Sequence, residues 1–320
     1  FLRFLIRMIM DSPVRPDIRP LHQALSRLGE VIVGKPQANR LAVTCLLARG
    51  HLLIEDQPGV GKTTLAHAIA GVMGLEYHRI QFTSDLLPAD ILGVSVYEQA
   101  TGQFKFHPGP IFAQLILADE VNRATPKTQS ALLEAMEERQ VTLEGQTRGL
   151  PDPFFVIATQ NPTYQIGTFA LPESQLDRFL IRLELGYPDA TAERALLGGR
   201  DRRDLLESLE PVLKPEDLLI YQQAVSRIHV SEDLLDYLQA MITLSREHPD
   251  IAVGLSPRAG LALLRAARAW ALLEGRDHVL PDDLQAVLPG VVSHRLRPVT
   301  GEGGHAVERL VQQLLDVPIP

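Results

Sequence analysis

The chain has 320 residues, 45% of them hydrophobic and 22% charged, which suits a soluble globular protein of about two domains whose core needs no covalent staples. The 31 Lys+Arg against 39 Asp+Glu give a formal charge of −8, which lends no support to a nucleic-acid partner, although net charge alone says nothing of a local basic patch. The single cysteine, Cys45, excludes a disulfide framework within the chain, argues against a cysteine-built metal site and fits a reducing, cytoplasmic setting. No run reaches about 18 apolar residues, so no membrane span is expected.

In chain order, the first ten residues, FLRFLIRMIM, are apolar around Arg3 and Arg7 and do not begin with Met. They are too short to span a bilayer and lack the small-residue cleavage site of a signal peptide. They read as a stretch upstream of Met10 that is foreign to the native protein, or as a short docking segment, with an amphipathic membrane anchor as the alternative. Residues 1–19 are therefore set apart as an N-terminal extension. Helical periodicity covers 21–28 and 37–48. HLLIE (51–55) predicts a short strand, 62–72 a helix and 77–82 a strand. Apolar strands follow at LILAD (115–119), FFVIAT (154–159) and FLIRL (179–183). Short apolar runs separated by helices predict a buried parallel sheet in an α/β domain, placed at 20–186.

Within that domain, VSVYE (94–98) and QFKFH (103–107) alternate on either side of Ala100-Thr101-Gly102 and predict a β-hairpin inside a longer segment, 85–110. After Gly186-Tyr187-Pro188 nothing further reads as a strand. Helices are predicted at 190–197, 215–227, 231–247, 257–273 and 281–287. Several open on start signals: Ser231, Ser256-Pro257 and Pro281-Asp282-Asp283. A helical second domain is placed at 187–320.

The segment LLIEDQPGVGKTT (52–64) runs from strand through turn into helix. In it, Gln57, Pro58, Gly59, Val60, Gly61, Lys62, Thr63 and Thr64 are expected to bind phosphate. Gly59 and Gly61 let the backbone wrap closely and aim N–H groups at phosphate oxygens, Lys62 reaches the β- and γ-phosphates, and the Thr63 hydroxyl is offered to Mg²⁺. The strict pattern G-x-x-x-x-G-K-[ST] is broken by Asp56 at the first glycine position. The plain alternative is a glycine turn before an ordinary helix. Downstream, LILADEVNRA (115–124) is an apolar strand that ends in two carboxylates. Asp119 fits a magnesium-holding role through water, and Glu120 is placed to orient and deprotonate an attacking water. A strand that merely stops where charge begins is the alternative, and the two motifs together argue against it.

The pair PGVGKT and LILADEVNRA resembles the AAA+ superfamily of P-loop ATPases, and in detail its MoxR-type members. Further stretches carry the likeness: VIVGKPQ (31–37), RIQFTSDLLPADILG (79–93), FKFHPGPIFAQLILADEVNRATPKTQSALLEAMEERQVT (104–142), FFVIATQNP (154–162), LPESQLDRF (171–179) and GLSPRA (254–259). The resemblance implies an α/β P-loop core, the AAA+ sheet, followed by an all-α lid. It implies binding of ATP with Mg²⁺ and hydrolysis by a homo-oligomeric ring, expected to be a hexamer. Asn161 resembles a sensor that holds the attacking water or the γ-phosphate, against plain turn chemistry for an Asn before Pro. Arg178 in LDRF resembles an arginine finger that reaches the neighbouring subunit, against an ion pair with Asp177 or Glu173. Arg123 is a second candidate for that contact. Arg258 resembles the sensor arginine of the lid. Its place in the first turn of a helix, where a cation opposes the dipole, independently suggests an anion nearby. Val33 and Gly34 are implied to border the adenine, and Gln81 to couple the substrate state to Glu120.

The hairpin resembles the insertion shared by MoxR-type ATPases, magnesium-chelatase motors and minichromosome-maintenance helicases, where it faces the pore or a partner. The GAFTGA-type loop of sigma-factor activators is absent. The implied role is chaperone-like remodelling of a client or adaptor protein, often one with a von Willebrand A domain. A metal-chelatase motor subunit is the alternative, and a DNA-dependent helicase-type ATPase a weaker one, because Lys105 is the one lysine or arginine on the hairpin. A non-hydrolysing switch would need Glu120 or the finger to be missing. The histidines, His107 included, do not fall at ligand spacing, so no zinc site is proposed.

Overall fold

The computed structural model describes residues 16–161, 167–199, 201–299 and 304–319. The apolar segment 1–10 lies outside the described residues. Two helices, α1 (Arg19–Val31) and α2 (Pro36–Leu47), lead into β1 (Leu52–Glu55), α3 (Lys62–Val72) and β2 (Tyr77–Gln81). A short α4 (Pro88–Leu92) precedes the hairpin of β3 (Gly93–Glu98) and β4 (Gln103–Pro108). Then come β5 (Leu115–Asp119), α5 (Pro126–Glu138), a second hairpin of β6 (Gln140–Leu143) and β7 (Gln146–Gly149), β8 (Phe155–Gln160), α6 (Glu173–Leu176) and β9 (Ile181–Leu183).

Five strands form one parallel sheet in the order β2-β5-β8-β1-β9. All of them therefore start at one edge and finish at the other. The inner strands β5, β8 and β1 are buried on both faces, which is why they read as continuous apolar runs, whereas β2 at the edge exposes His78, Arg79 and Gln81. Leu52, Ile54, Leu115, Leu117, Phe155 and Ile157 join one core with the flanking and C-terminal helices. Their alternates Leu53, Ile116, Ala118, Val156 and Ala158 join a second core with Leu132, Leu133 and Met136 of α5.

The second hairpin was not expected. Its strands are four residues each, too short for alternation to show, and its turn uses Glu144 and Gly145, both at positive φ (53° and 77°), the geometry of a tight hairpin turn.

The rest of the chain is mostly helical: α7 (Ala190–Gly198), α8 (Arg202–Glu207), α9 (Pro215–Arg227), α10 (Glu232–Glu247), α11 (Pro257–Leu273), α12 (Pro281–Val292) and α13 (Gly304–Leu315). Ser231 and Ser256 cap α10 and α11 through their side chains, as their positions suggested. Four details depart from expectation, α8 and α13 being two helices that were not among those expected. The helix expected to stop at 287 runs through Pro289 to Val292, because Leu288, Val291 and Val292 are fully buried and packing outweighs one missing N–H. A short antiparallel pair, β10 (Ile251–Val253) with β11 (Arg297–Pro298), lies among the helices and is too brief to leave a pattern. The C-terminal helix α13 buries Leu310, Val311 and Leu314.

Candidate active site

At the finishing edge of the sheet, β1 gives way to the loop 56–61 and then to α3. Gly59 and Gly61 adopt left-handed φ of 87° and 99°, and a Cβ at either would meet open space, so the glycines serve backbone conformation and leave the loop's inner face accessible. Gly61 caps α3, whose first N–H groups and dipole favour an anion. The Lys62 ammonium donates to the carbonyl oxygens of Asp56 and, at 3.2 Å, of Gln57. Burial lowers its pKa, and the charges of Asp56, Asp119 and Glu120 oppose that shift.

A cavity of about 300 Å³ is lined by Pro58, Gly59, Gly61, Lys62, Thr63, Thr64, Asp119, Glu120 and Asn161. The phosphate loop, the acidic strand end and the residue after β8 thus converge, although far apart in sequence. Val33 and Gly34 do not line this phosphate cavity; Gly34 lines a second one of about 580 Å³ between α2, β9, α12 and α13. Gly34 is needed for packing, since a Cβ there would sit 2.6 Å from the Ala192 Cβ.

The acids are held by side chains from adjacent strands. Thr159 on β8 is fully buried; its hydroxyl donates to Asp119 Oδ1 at 2.5 Å and accepts the Glu120 N–H at 2.9 Å. Arg79 on β2 donates to Asp119 Oδ2 at 2.7 and 3.2 Å. Two residues along the same strand, Gln81 donates to Glu120 Oε2 at 3.0 Å. Arg123 pairs with the same oxygen at 2.9 Å. Glu120 itself sits at φ 58°, ψ 50°, a left-handed conformation that costs a non-glycine residue about 1–2 kcal/mol and that the contacts around it enforce. Thr63 and Asp119 offer hard oxygen donors to one cavity, the donor chemistry Mg²⁺ takes alongside phosphate oxygens. Among the described residues there is no group of three or more His, Cys, Asp or Glu that could hold a metal ion by itself.

Asp56, the departure from the strict loop pattern, has a structural reason. Its buried carboxylate accepts the Gln57 N–H at 2.7 Å, the Leu185 N–H at 2.7 Å and the Gly186 N–H at 2.6 Å. It ties the root of the loop to the chain leaving β9, a task for which a glycine has no atoms.

The remaining predicted residues lie at the starting edge of the sheet. Ile181 of β9 pairs in register with Leu52 of β1, so Arg178, three residues earlier, lies before the strands begin. Its guanidinium pairs with Glu137 at 3.1 Å, not with Asp177 or Glu173. Arg258, at the first turn of α11, joins the same carboxylate at 3.0 Å and Asp177 at 3.7 Å. These are the anions that its position against the helix dipole suggested; the expected γ-phosphate contact is not one this chain's own loop supplies. The two arginines are together, and both are remote from Lys62. The four residues of β1 alone span roughly 13 Å at about 3.3 Å each.

A family model described as ATPase family associated with various cellular activities (AAA) matches residues 51–181, and an AAA lid domain model matches residues 243–314. The chain is 45% identical over 302 residues to the uncharacterized protein YeaC of Bacillus subtilis, covering 93% of this chain and 94% of that one. It is 39% identical over 289 residues to Chaperone MoxR1 of Mycobacterium tuberculosis, covering 88% and 76%. A crystal structure of a candidate ATPase from Cytophaga hutchinsonii superposes with a TM-score of 0.84 at 34% identity, covering 94% of each chain.

Proposed function

The chain belongs to the MoxR-type AAA+ ATPases, and from that premise we propose that it hydrolyses ATP in a ring, expected to be a hexamer, whose sites are each shared by two subunits. One observation carries the proposal: a single chain holds the phosphate loop and acids at one edge of its sheet and the arginine pair at the other. Neither half reaches the other within one subunit. A head-to-tail ring brings the finishing edge of one copy against the starting edge of the next.

In such a site the loop N–H groups and Lys62 bind the phosphates, and Thr63 and Asp119 hold Mg²⁺. The metal supplies neutralisation of phosphate charge. Glu120 takes the proton of the attacking water, Asn161 orients that water, and Gln81 holds Glu120 until the nucleotide is in place. The neighbour's Arg178 and Arg258 stabilise charge developing on the γ-phosphate. Arg123 pairs with Glu120 at the phosphate edge of its own chain, whereas Arg178 lies at the opposite edge, so Arg178 is the better candidate for the finger. Val33 and Gly34 flank the adenine. The core is taken as 20–186 and the lid as 187–320, in a cytoplasmic protein.

The work done by hydrolysis is remodelling of a client or adaptor protein, with von Willebrand A domain proteins as candidates. The first hairpin exposes Val94, Val96, Tyr97 and Phe104, an apolar surface suited to protein. Its cation Lys105 is paired with Glu98 at 3.0 Å, which disfavours a nucleic-acid motor. Among the described residues no helix is long and apolar enough to cross a membrane.

The test mixes two inactive variants, Lys62→Ala and Arg178→Ala. Activity well above the sum of the two is expected, because the Arg178→Ala subunit offers a sound phosphate site and the Lys62→Ala subunit a sound finger. A mixture no more active than its parts overturns the shared site.

A further inference from the structure

We infer that Glu137 is a positioning residue that presents Arg178 and Arg258 as one unit to the neighbouring subunit's nucleotide; the inference rests on the shared-site reading above. Each carboxylate oxygen takes one arginine: Oε2 lies 3.1 Å from Arg178 and Oε1 3.0 Å from Arg258. Two guanidiniums side by side repel, and a carboxylate between them turns the repulsion into a bridge of net charge +1. Each guanidinium carries five N–H donors, so one bond to Glu137 leaves the others for a phosphate.

Three features of the surroundings suit this role. First, Glu137 stands in the last turn of α5, where the negative end of the helix dipole disfavours a carboxylate. The two cations offset that disadvantage. Second, α5 is firmly seated, with Leu132, Leu133, Ala135 and Met136 buried, so its last turn is a fixed support. Third, the backbone of the finger loop is already clamped. Arg295, whose side chain is 5% exposed, donates to Asp177 Oδ1 at 2.6 Å, to the Phe179 carbonyl at 2.7 Å and to the Leu180 carbonyl at 3.2 Å. His294 bonds the Phe179 carbonyl as well, at 3.0 Å. With the loop fixed, the freedom left to Arg178 is that of its long side chain. Glu137 removes it.

The arrangement joins three parts of the chain. α5 of the core supplies the carboxylate, the loop before β9 supplies Arg178, and the first turn of α11 supplies Arg258. A lid that shifts on its core moves Arg258 relative to Glu137 and so changes what the neighbour's nucleotide meets.

The experiment uses Glu137→Gln and Glu137→Asp in the full chain. The amide of Glu137→Gln keeps an acceptor for one arginine and turns a donor toward the other. Asp is shorter by a methylene and cannot span both. We expect turnover to fall about 10- to 100-fold, the scale of a misplaced catalytic group. KM for ATP should stay within about twofold, since ground-state binding belongs to the other subunit, and sedimentation should show the wild-type assembly. Mixing Glu137→Gln with Lys62→Ala should restore activity above the sum, as mixing Arg178→Ala with Lys62→Ala does. Unchanged turnover in Glu137→Gln, or loss of assembly, overturns the inference. So does failure of the Glu137→Gln mixture when the Arg178→Ala mixture succeeds, which would place Glu137's effect in its own chain's site. Failure of both mixtures removes the shared-site reading and the inference with it.

Discussion

The two edges of the central sheet solve different problems with different materials. At the finishing edge the two acids are set by the sheet itself: Thr159 on β8 and Arg79 and Gln81 on β2 bond Asp119, the last residue of β5, and Glu120 just after it. At the starting edge the arginines are set by a junction of three parts, with Glu137 from α5, Arg295 after α12 and Arg258 on α11. The first edge is rigid because parallel strands share backbone bonds. The second draws two of its three supports from the helical region. If sites are shared between subunits as proposed, an acid edge held by one sheet opposite an arginine edge held partly by the helices gives one subunit's state a route to the next subunit's rate.

The largest expected effect sharpens this contrast. Arg178→Ala should lower turnover by about 10³–10⁵, the range for arginine fingers, with nucleotide affinity little changed, checked by steady-state kinetics and by equilibrium binding of a fluorescent ATP analogue. Comparable loss of affinity would mean that the arginine belongs to its own chain's binding edge. On the acid edge, Glu120→Gln should cost about 10²–10⁴ in turnover while nucleotide still binds.

Smaller effects concern stability. His51 lies just before β1, at the arginine edge. Its Nε2 bonds the Met136 carbonyl at 3.2 Å and its Nδ1 accepts the Val156 N–H at 3.0 Å, which fixes a neutral ring donating through Nε2. Burial pushes its pKa down from 6.5 to about 4. The unfolded chain therefore binds the proton first as pH falls. The stability held by the neutral ring is complete above about pH 6.5 and is lost progressively toward about pH 4, by about 3 kcal/mol in all at about 1.4 kcal/mol per unit. His294, also buried against the finger loop, has its pKa depressed by burial and adds in the same direction. Urea midpoints measured across that window should fall with acid in the wild type and less steeply in His51→Gln. Equal slopes would remove His51 from the account. At the other edge, Thr159→Val keeps the shape but strips the hydroxyl from the Glu120 N–H and Asp119. A loss of about 1–3 kcal/mol is expected in the same urea assay, the scale for buried polar groups left unpaired.

The legibility of the site in the sequence follows the same division. The finishing edge was legible because its chemistry is local: a glycine loop between strand and helix, and two acids where an apolar strand ends. What escaped was the support. Thr159 lies inside an apolar strand and reads as a β-former, and its hydrogen bonds reach residues forty positions away. Asp56 breaks the loop motif in sequence, and its reason is spatial: it accepts the N–H groups of Leu185 and Gly186. The starting edge was half legible. Arg178 and Arg258 could be singled out, but Glu137 is one of several acids on an amphipathic helix. Only the fold shows that it meets both arginines, 41 and 121 residues further on, since ion pairing leaves no periodic trace.

The measurement that bears most directly on a site shared between subunits is ATP turnover per subunit, with Mg²⁺, over a wide range of wild-type protein concentration, with sedimentation run on the same samples. The account predicts that turnover per subunit rises steeply and then saturates as the ring assembles. Turnover that is present and constant at concentrations where sedimentation shows monomer alone would contradict it, and would leave Arg178 as an intramolecular partner of Glu137.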